Sequence, residues 1–282
     1  TLLLSLPVRI LHESEKLTRK AATMQANSSD FILQTTDLVK EFKGFTAVSD
    51  VNLNVQRGHI HALIGPNGAG KTTVFNLLTK FLQPTRGKIA FNGKDITRMQ
   101  PAEIARLGII RSFQISAVFP HLTVLENVRV ALQRKENHSM HFWRSDKILN
   151  SLNDRAHELL ESVGLGEFAN TVTTDLAYGR KRALEIATTL ALDPELMLLD
   201  EPTQGMGHED VGRTADLIRK VSKNRTILMV EHNLQVVSKL ADRITVLQRG
   251  AILTEGDYDT VSQDPQVREA YMGTEAPQEA SA

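Results

Sequence analysis

Eight residues, Gly65-Pro66-Asn67-Gly68-Ala69-Gly70-Lys71-Thr72, lie between an apolar run and a helical pattern. They fit G-x-x-x-x-G-K-[ST], a spacing built for phosphate. Glycines let the backbone curl so that successive N–H groups point inward at anionic oxygens. The following helix, which opens with Lys71, Thr72 and Thr73, adds the positive end of its dipole. Lys71 can reach terminal phosphates as a point charge, and the Thr72 hydroxyl suits Mg²⁺. The pattern therefore predicts a strand–loop–helix that binds a nucleoside triphosphate.

Further along, LMLLDEP places Asp200 at the end of an apolar run with Glu201 beside it. An isolated Asp-Glu after a strand is ordinarily a solvated pair. With a phosphate loop upstream, Asp200 becomes the expected metal-holding acid. His232 follows another apolar run in VEHN. His59 and His61 form H-x-H without an apparent third ligand and read as structural. In DLAYGRKRALEIA (175–187), three cations, Arg180, Lys181 and Arg182, stand where a helix start is already positive. By default such a run is a solvated basic face. Its position instead suggests a helix tip facing an anion.

These groups need a scaffold. FILQTTDLV (31–39) and VNLNV (51–55) read as strands joined by a turn near Lys43-Gly44. HIHALI (59–64) leads into the glycine loop, and TTVFNLLTKFL has helical spacing. GKIAFNGKDI reads as a hairpin turning at Asn92-Gly93. LMLLD (196–200) and TILMVE (226–231) are apolar throughout, like parallel strands buried on both faces. ITVLQRGAILTEG (244–256) closes with a hairpin. Between about 121 and 178 the patterns are mostly helical; in LNDRAHELLESVGL, residues Ala156, Leu159, Leu160 and Val163 share a face and Gly164 stops the helix. The expected architecture is α/β: a P-loop NTPase (RecA-like) core over 31–115 and 180–274, an N-terminal antiparallel β subdomain, and a helical insertion over about 116–179. Residues 1–29 read as a flexible extension and 275–282 as a disordered tail.

Bulk properties narrow the classes. The 282 residues carry 33 Lys plus Arg and 33 Asp plus Glu, so the formal net charge is zero and offers no electrostatic case for nucleic-acid binding. Cysteine is absent, which excludes disulfides and thiolate metal sites. No apolar stretch approaches 18 residues, the length of a membrane-spanning helix.

Taken in order, the phosphate loop, Gln114 in RSFQ, Leu176-Ala177-Tyr178-Gly179-Arg180, Asp200-Glu201 and His232 resemble the ATP-binding subunits of ABC transporters over about residues 31–274. The resemblance implies ATP and Mg²⁺ as ligands, with Gly65 to Thr73 as the P-loop and Gln114 contacting Mg²⁺ and the membrane partner. It implies Asp200 as the metal acid, Glu201 as the catalytic glutamate, His232 as the switch histidine and Phe42 as the aromatic stacking on adenine. Residues 176–180 occupy the place of the family signature, usually Leu-Ser-Gly-Gly-Gln, which faces the γ-phosphate of ATP held by a second subunit. ALIGPNGAGKTT, PHLTVLENVRVAL, DEPTQGM and DPQVREAYMG look like the ATPases of branched-chain amino-acid uptake systems, a group that also includes urea and short-amide transporters. Leu-Ala-Tyr-Gly is that group's spelling of the signature.

Three departures stand out. Ala177 lacks a serine hydroxyl. Arg180 replaces glutamine, either offsetting the lost bond or serving as an ordinary surface residue. Gly207-His208 carries no aspartate. The resemblance further implies a homo- or heterodimer of ATP-binding subunits on the cytoplasmic face of the inner membrane. Its partners would be two permeases and, indirectly, a solute-binding protein, with residues 115–130 (Val118, Phe119, Leu122 and Val124 among them) in the groove that receives a permease helix. Other readings are lipopolysaccharide export, a non-hydrolysing regulator, and an ABC-type ATPase acting on nucleic acid or ribosomes. The last fits poorly: about 106 positions separate Gly70 from Leu176 without sustained heptads, and there is one cassette in the chain.

Overall fold

The computed structural model describes residues 30–112, 118–135 and 152–272. Gln114, Trp143 and the expected extension and tail lie outside them.

The chain opens with β1 (Phe31–Phe42), β2 (Phe45–Val51) and β3 (Asn54–Gln56), all antiparallel with β1 as the shared partner. The turn at Lys43-Gly44 is present, but it leads to β2 rather than to a strand over 51–55. The VNLNV alternation breaks after Val51, and residues 52–53 step from β2 to β3. There Asn52 spends its side chain on Asp37, accepting from the Asp37 amide and donating to its carboxylate. β4 (Ile60–Ile64) ends at the glycine loop, and α1 (Lys71–Leu78) follows. β5 (Arg86–Phe91) and β6 (Lys94–Asp95) form the expected hairpin, with Asn92 and Gly93 both at positive φ as a type I′ turn requires. Next come α2 (Pro101–Arg106) and β7 (Ile109–Ser112), then α3 (Val124–Lys135), α4 (Asn153–Ser162) and α5 (Tyr178–Ala191). β8 (Leu196–Asp200), α6 (His208–Val221), β9 (Thr226–Val230) and α7 (Leu234–Leu240) alternate. β10 (Arg243–Gln248), β11 (Ala251–Gly256), α8 (Tyr258–Gln263) and α9 (Pro265–Met272) complete the order.

The central sheet runs β11-β10-β4-β9-β8-β7, parallel except for the β10–β11 pair. β4, β8 and β9 are buried along their whole length, and their side chains alternate between two cores. Ile60, Ala62, Ile64, Met197, Leu199, Ile227 and Met229 face one core, where α3 to α7 contribute. Leu63, Leu196, Leu198, Leu228 and Val230 face the other, filled by α1 and the antiparallel sheet β2-β1-β5-β6. In α4 the expected stripe is buried, and Gly164 at φ 74° ends the run. Helices α3, α4 and α5 pack on one another between β7 and β8. Among the described residues, no helix is long and apolar enough to cross a membrane.

The two early histidines are structural. His61 is fully buried, with Nε2 2.7 Å from the Thr245 hydroxyl. Burial pulls its pKa down to about 4; Glu255 opposes that shift, while Arg243 and His59 add to it. A base whose folded pKa is depressed binds its proton more readily in the unfolded chain. Stability should therefore fall as pH drops from 6.5 towards 4, by on the order of 3 kcal/mol from this group. Urea-unfolding midpoints measured across that range should show this slope in the parent, and His61→Leu should remove most of it.

Candidate nucleotide site

Four parallel strands deliver the chemistry-bearing residues to one edge. Register pairs Leu63 with Val230, Asp200 with Val230 and Ser112 with Leu199. The glycine loop, Asp200-Glu201, His232 and the segment after Ser112 thus all emerge at the carboxyl ends of strands, where open α/β sheets bind ligands.

The loop between β4 and α1 is shaped by close approach. Gly65 has φ 148°, and a Cβ there would lie 2.1 Å from the Leu247 carbonyl oxygen. Gly70 has φ 101°, and a Cβ would meet the Ala47 carbonyl oxygen at 2.6 Å. Neither position accepts a side chain. Lys71 is buried, and its ammonium donates to the Gly65 and Pro66 carbonyls at 2.7 and 3.0 Å. Burial lowers its pKa, while Glu201 and then Asp200 pull it back up, which places both carboxylates within electrostatic reach of Lys71. Thr72 is exposed at the helix start.

Asp200 is 2% exposed at the end of β8. It forms an ion pair with Arg111, the penultimate residue of β7, whose other terminal nitrogen donates to Asn76 on α1 at 2.7 Å. Glu201 has φ 45°, a left-handed conformation that costs a residue with a side chain energy and marks a position held by its surroundings. Its amide donates to the Val230 carbonyl at 2.9 Å, and its carbonyl accepts from Arg182 at 3.1 Å.

The basic run at the start of α5 is a solvated face only in part, since Arg180 is exposed and Arg182 is buried. Arg182 is 5% exposed and pairs with buried Glu185 at 2.5 Å, while its remaining nitrogens donate to the Pro202 and Glu201 carbonyls. Arg180 lies over the Phe168 ring, 4.1 Å from its centroid, and Lys181 donates to the Thr174 carbonyl. Each cation has a partner within the chain, so the run is part of the scaffold. The solvated-face expectation fails at Arg182, which the helix turns inward, toward the end of β8.

The tip of α5 is bare. Its N-cap, Ala177, is exposed, makes no side-chain cap, and no acid stands in the first turn. α1 starts the same way, on Gly70. By contrast, Asn233 caps α7 and Asp257 caps α8. Uncapped amides with no acid in their own first turn suit an anion, although the Asp210 carboxylate of α6 lies beside the α5 tip. Leu176 is buried core, and the exposed Tyr178 donates its hydroxyl proton to the Gln204 carbonyl at 3.1 Å. Gly179 sits in the first turn, where a Cβ would lie 2.9 Å from the Asp210 carboxylate. Among the described residues, no hydrogen bond or ion pair joins 176–180 to 65–73. Phe42 is exposed at the end of β1, with the Lys40 ammonium 5.0 Å from its ring centroid.

Sequence reading missed two residues, Arg111 described above and Glu231. Glu231 is fully buried, pairs with no cation among the described residues, and accepts four hydrogen bonds through its two oxygens. Oε1 takes the Thr203 amide and hydroxyl; Oε2 takes the His232 and Asn233 amides at 2.9 and 3.1 Å. It therefore joins the loop after β8 to the loop carrying exposed His232. The only advance signal was a carboxylate closing an otherwise apolar strand.

Comparison with known proteins agrees with this geometry. The fold matches the ADP conformation of an ATP-binding cassette of an ABC transporter (TM-score 0.76, 30% identity, covering 86% of this chain and 99% of that one). It also matches a dimeric cassette in a post-hydrolysis state with ADP and Pi (TM-score 0.68, 27% identity, 80% and 98% covered). The sheet order and phosphate loop thus define an ATP-binding cassette. Residues 48–204 match the ABC transporter family, and residues 251–277 match the branched-chain amino acid ATP-binding cassette transporter family. The chain is 39% identical to the high-affinity branched-chain amino acid transport ATP-binding protein BraF of Pseudomonas aeruginosa, and 37% identical to LivG of Escherichia coli K12. Each match covers 86% of this chain and 98% of the relative. The chain belongs to the ABC transporter family of ATP-binding subunits, and its activity is ATP hydrolysis coupled to transport.

Replacing Glu231 by Gln sets an NH₂ donor where two of its four donors now find an acceptor oxygen. Each buried donor left unpaired costs about 1–3 kcal/mol. The thermal midpoint should drop by several degrees, and ATP turnover in the assembled transporter should fall with it. A midpoint equal to the parent's contradicts the bridging role.

Proposed function

We propose that this chain is the ATP-hydrolysing subunit of an importer for branched-chain amino acids or closely related small polar solutes, working peripherally on the cytoplasmic face of the membrane. The observation that carries this is the pairing of two helix tips, α1 and α5, each without a side-chain cap or an acid in its own first turn, that do not meet within one chain. ATP in the loop of one subunit would be covered by the α5 tip of another, so that two nucleotides are sandwiched in a dimer. The relatives' names, both of branched-chain amino acid transport proteins, support the substrate class.

In this reading the backbone of residues 65–73 cradles the phosphates, and Phe42 offers its exposed ring to adenine. Thr72 and Asp200 hold Mg²⁺ together with Gln114, which lies outside the described residues. Hydroxyl and carboxylate oxygens are the donors this hard cation prefers, and a buried carboxylate already facing a cation fits such a site. Mg²⁺ would neutralise charge on the phosphoryl oxygens. Glu201, aimed by its left-handed backbone, orients and deprotonates the attacking water. Lys71 leaves its own loop's carbonyls for the phosphates. His232, on the loop tied to Thr203 through Glu231, contacts the γ-phosphate. Arg180, held over Phe168, acts as a surface and packing residue rather than a replacement for the serine that Ala177 lacks.

The permeases need a docking surface. Exposed Phe81, Phe119 and Val130 line an open groove with Ala102, Ala105 and Ile110, between α2, β7 and α3. Of the four groove residues expected from sequence, Phe119 is there. Val118 and Val124 are core, and Leu122 is half-buried with its carbonyl bonded to Thr173. This groove is where a short permease helix would rest.

Three outcomes test the reading. Glu201→Gln should bind ATP yet lose turnover by at least about 10²-fold, while Lys71→Ala should bind nucleotide poorly, both measured on the reconstituted complex. Gly179 is unsuited to probing the second subunit, since a side chain there strikes Asp210 within its own chain. Ala177→Asp is cleaner. It adds a favourable N-cap worth about 1 kcal/mol, so the fold should gain stability, yet it sets a carboxylate against the partner's ATP. Turnover should collapse with an intact melting curve; full turnover would refute the sandwich. Phe81→Asp with Phe119→Ser should abolish co-purification with permeases and leave nucleotide binding by the free subunit unchanged.

A further inference from the structure

Arg111 stands outside every role assigned above, yet it joins the end of β8 to α1. Its guanidinium pairs with Asp200, donates to Asn76 on α1, and lies 5.7 Å from the centroid of the Phe75 ring. The Arg111 and Asp200 side chains are only 10% and 3% exposed, so neither charge has much water. A carboxylate buried so deeply is costly without a cation. We infer that Arg111 is the resident counter-cation of Asp200, occupying the electrostatic place of Mg²⁺ until metal and nucleotide arrive, so that metal binds by displacing it.

The reasoning is Coulombic. A guanidinium keeps its charge at any physiological pH, and its planar fork can serve Asp200 and Asn76 together. A divalent cation brought to the same carboxylate would stand within a few ångströms of that guanidinium, a repulsion that little water screens. Asp200 can satisfy one of them at full strength. The exchange keeps Asp200 paired and oriented through the nucleotide-free part of the cycle. It also makes the apparent Mg²⁺ affinity weaker than an empty carboxylate would give. Arg111 lines the groove of Phe81 and Phe119 as well, so the cation released from Asp200 lies beside the surface proposed for the permease. Arg111 is a positioning residue: it acts on the reaction through Asp200.

This inference rests on the reading of Asp200 as a metal ligand, and the test separates the two. Purified subunit, saturated with a fluorescent ADP analogue in EDTA, is titrated with Mg²⁺, and the half-saturating concentration is read from the nucleotide signal. Arg111→Met should lower that concentration about ten-fold, equivalent to about 1.4 kcal/mol of lost competition, while analogue affinity in EDTA stays within about two-fold. Arg111→Lys, a weaker fork with the same charge, should fall between parent and Met variant. Asn76→Ala, which loosens the guanidinium without touching the carboxylate, should shift the value in the same direction but less. It keeps the test open should Arg111→Met fold poorly. Asp200→Asn should abolish the metal response. An unchanged or raised half-point in Arg111→Met, or in both Arg111→Lys and Asn76→Ala, overturns the counter-cation. A parental metal response in Asp200→Asn overturns the metal reading itself.

Discussion

The register of four parallel strands is the constraint on which the rest of the site depends. β4, β9 and β8 are locked so that the phosphate loop, Asp200, Glu201 and the His232 loop leave the sheet at a common edge. Because side chains alternate between two dry cores, a slip of one residue would drive Leu63, Leu198 and Leu228 to the wrong face and carry the site with them. The apolar interior therefore does more than stabilise. It sets the relative positions of groups that are far apart in sequence.

Around that edge, the protein holds its charges in internal partnerships. Lys71 donates to its own loop, Arg111 to Asp200, and Arg182 to Glu185 and to the backbone beyond β8. Glu231 does the same from the acid side, using four donors. Among the described residues, the helix tips at Gly70 and Ala177 have neither a side-chain cap nor an acid in their own first turn. A site arranged this way leaves an anion as the missing component. Lys71 and Arg111 sit on partners they can give up, whereas Arg182 and Glu231 fasten loops.

Much of this was legible in the residues. The G-x-x-x-x-G-K-T spacing, the all-apolar strands ending in Asp200 and Glu231, and the helical stripe of Ala156, Leu159 and Leu160 each follow from a local period. What stayed hidden depends on direction. Helical geometry alone decides that Arg182 turns inward while Arg180 turns outward, and composition sees three equal cations. VNLNV alternates like a single strand, but Asn52 has a better use for its side chain at Asp37 and the ladder breaks. Glu231 and Arg111 were invisible because their partners, Thr203 and Asp200, lie 28 and 89 positions away in the chain. Val118 and Val124 fell into the core rather than the groove, since aliphatic type does not state which side of a bend a residue takes.

The groove has a cost for the subunit on its own. Phe81 and Phe119 are each more than half exposed, on a molecule whose positive and negative side chains are equal in number. Long-range repulsion between copies is therefore weak near neutral pH, while a greasy stripe offers them a place to adhere. A surplus of free subunit would drift toward self-association, so the stoichiometry of its synthesis with its membrane partners becomes a matter of colloidal hygiene as well as of transport.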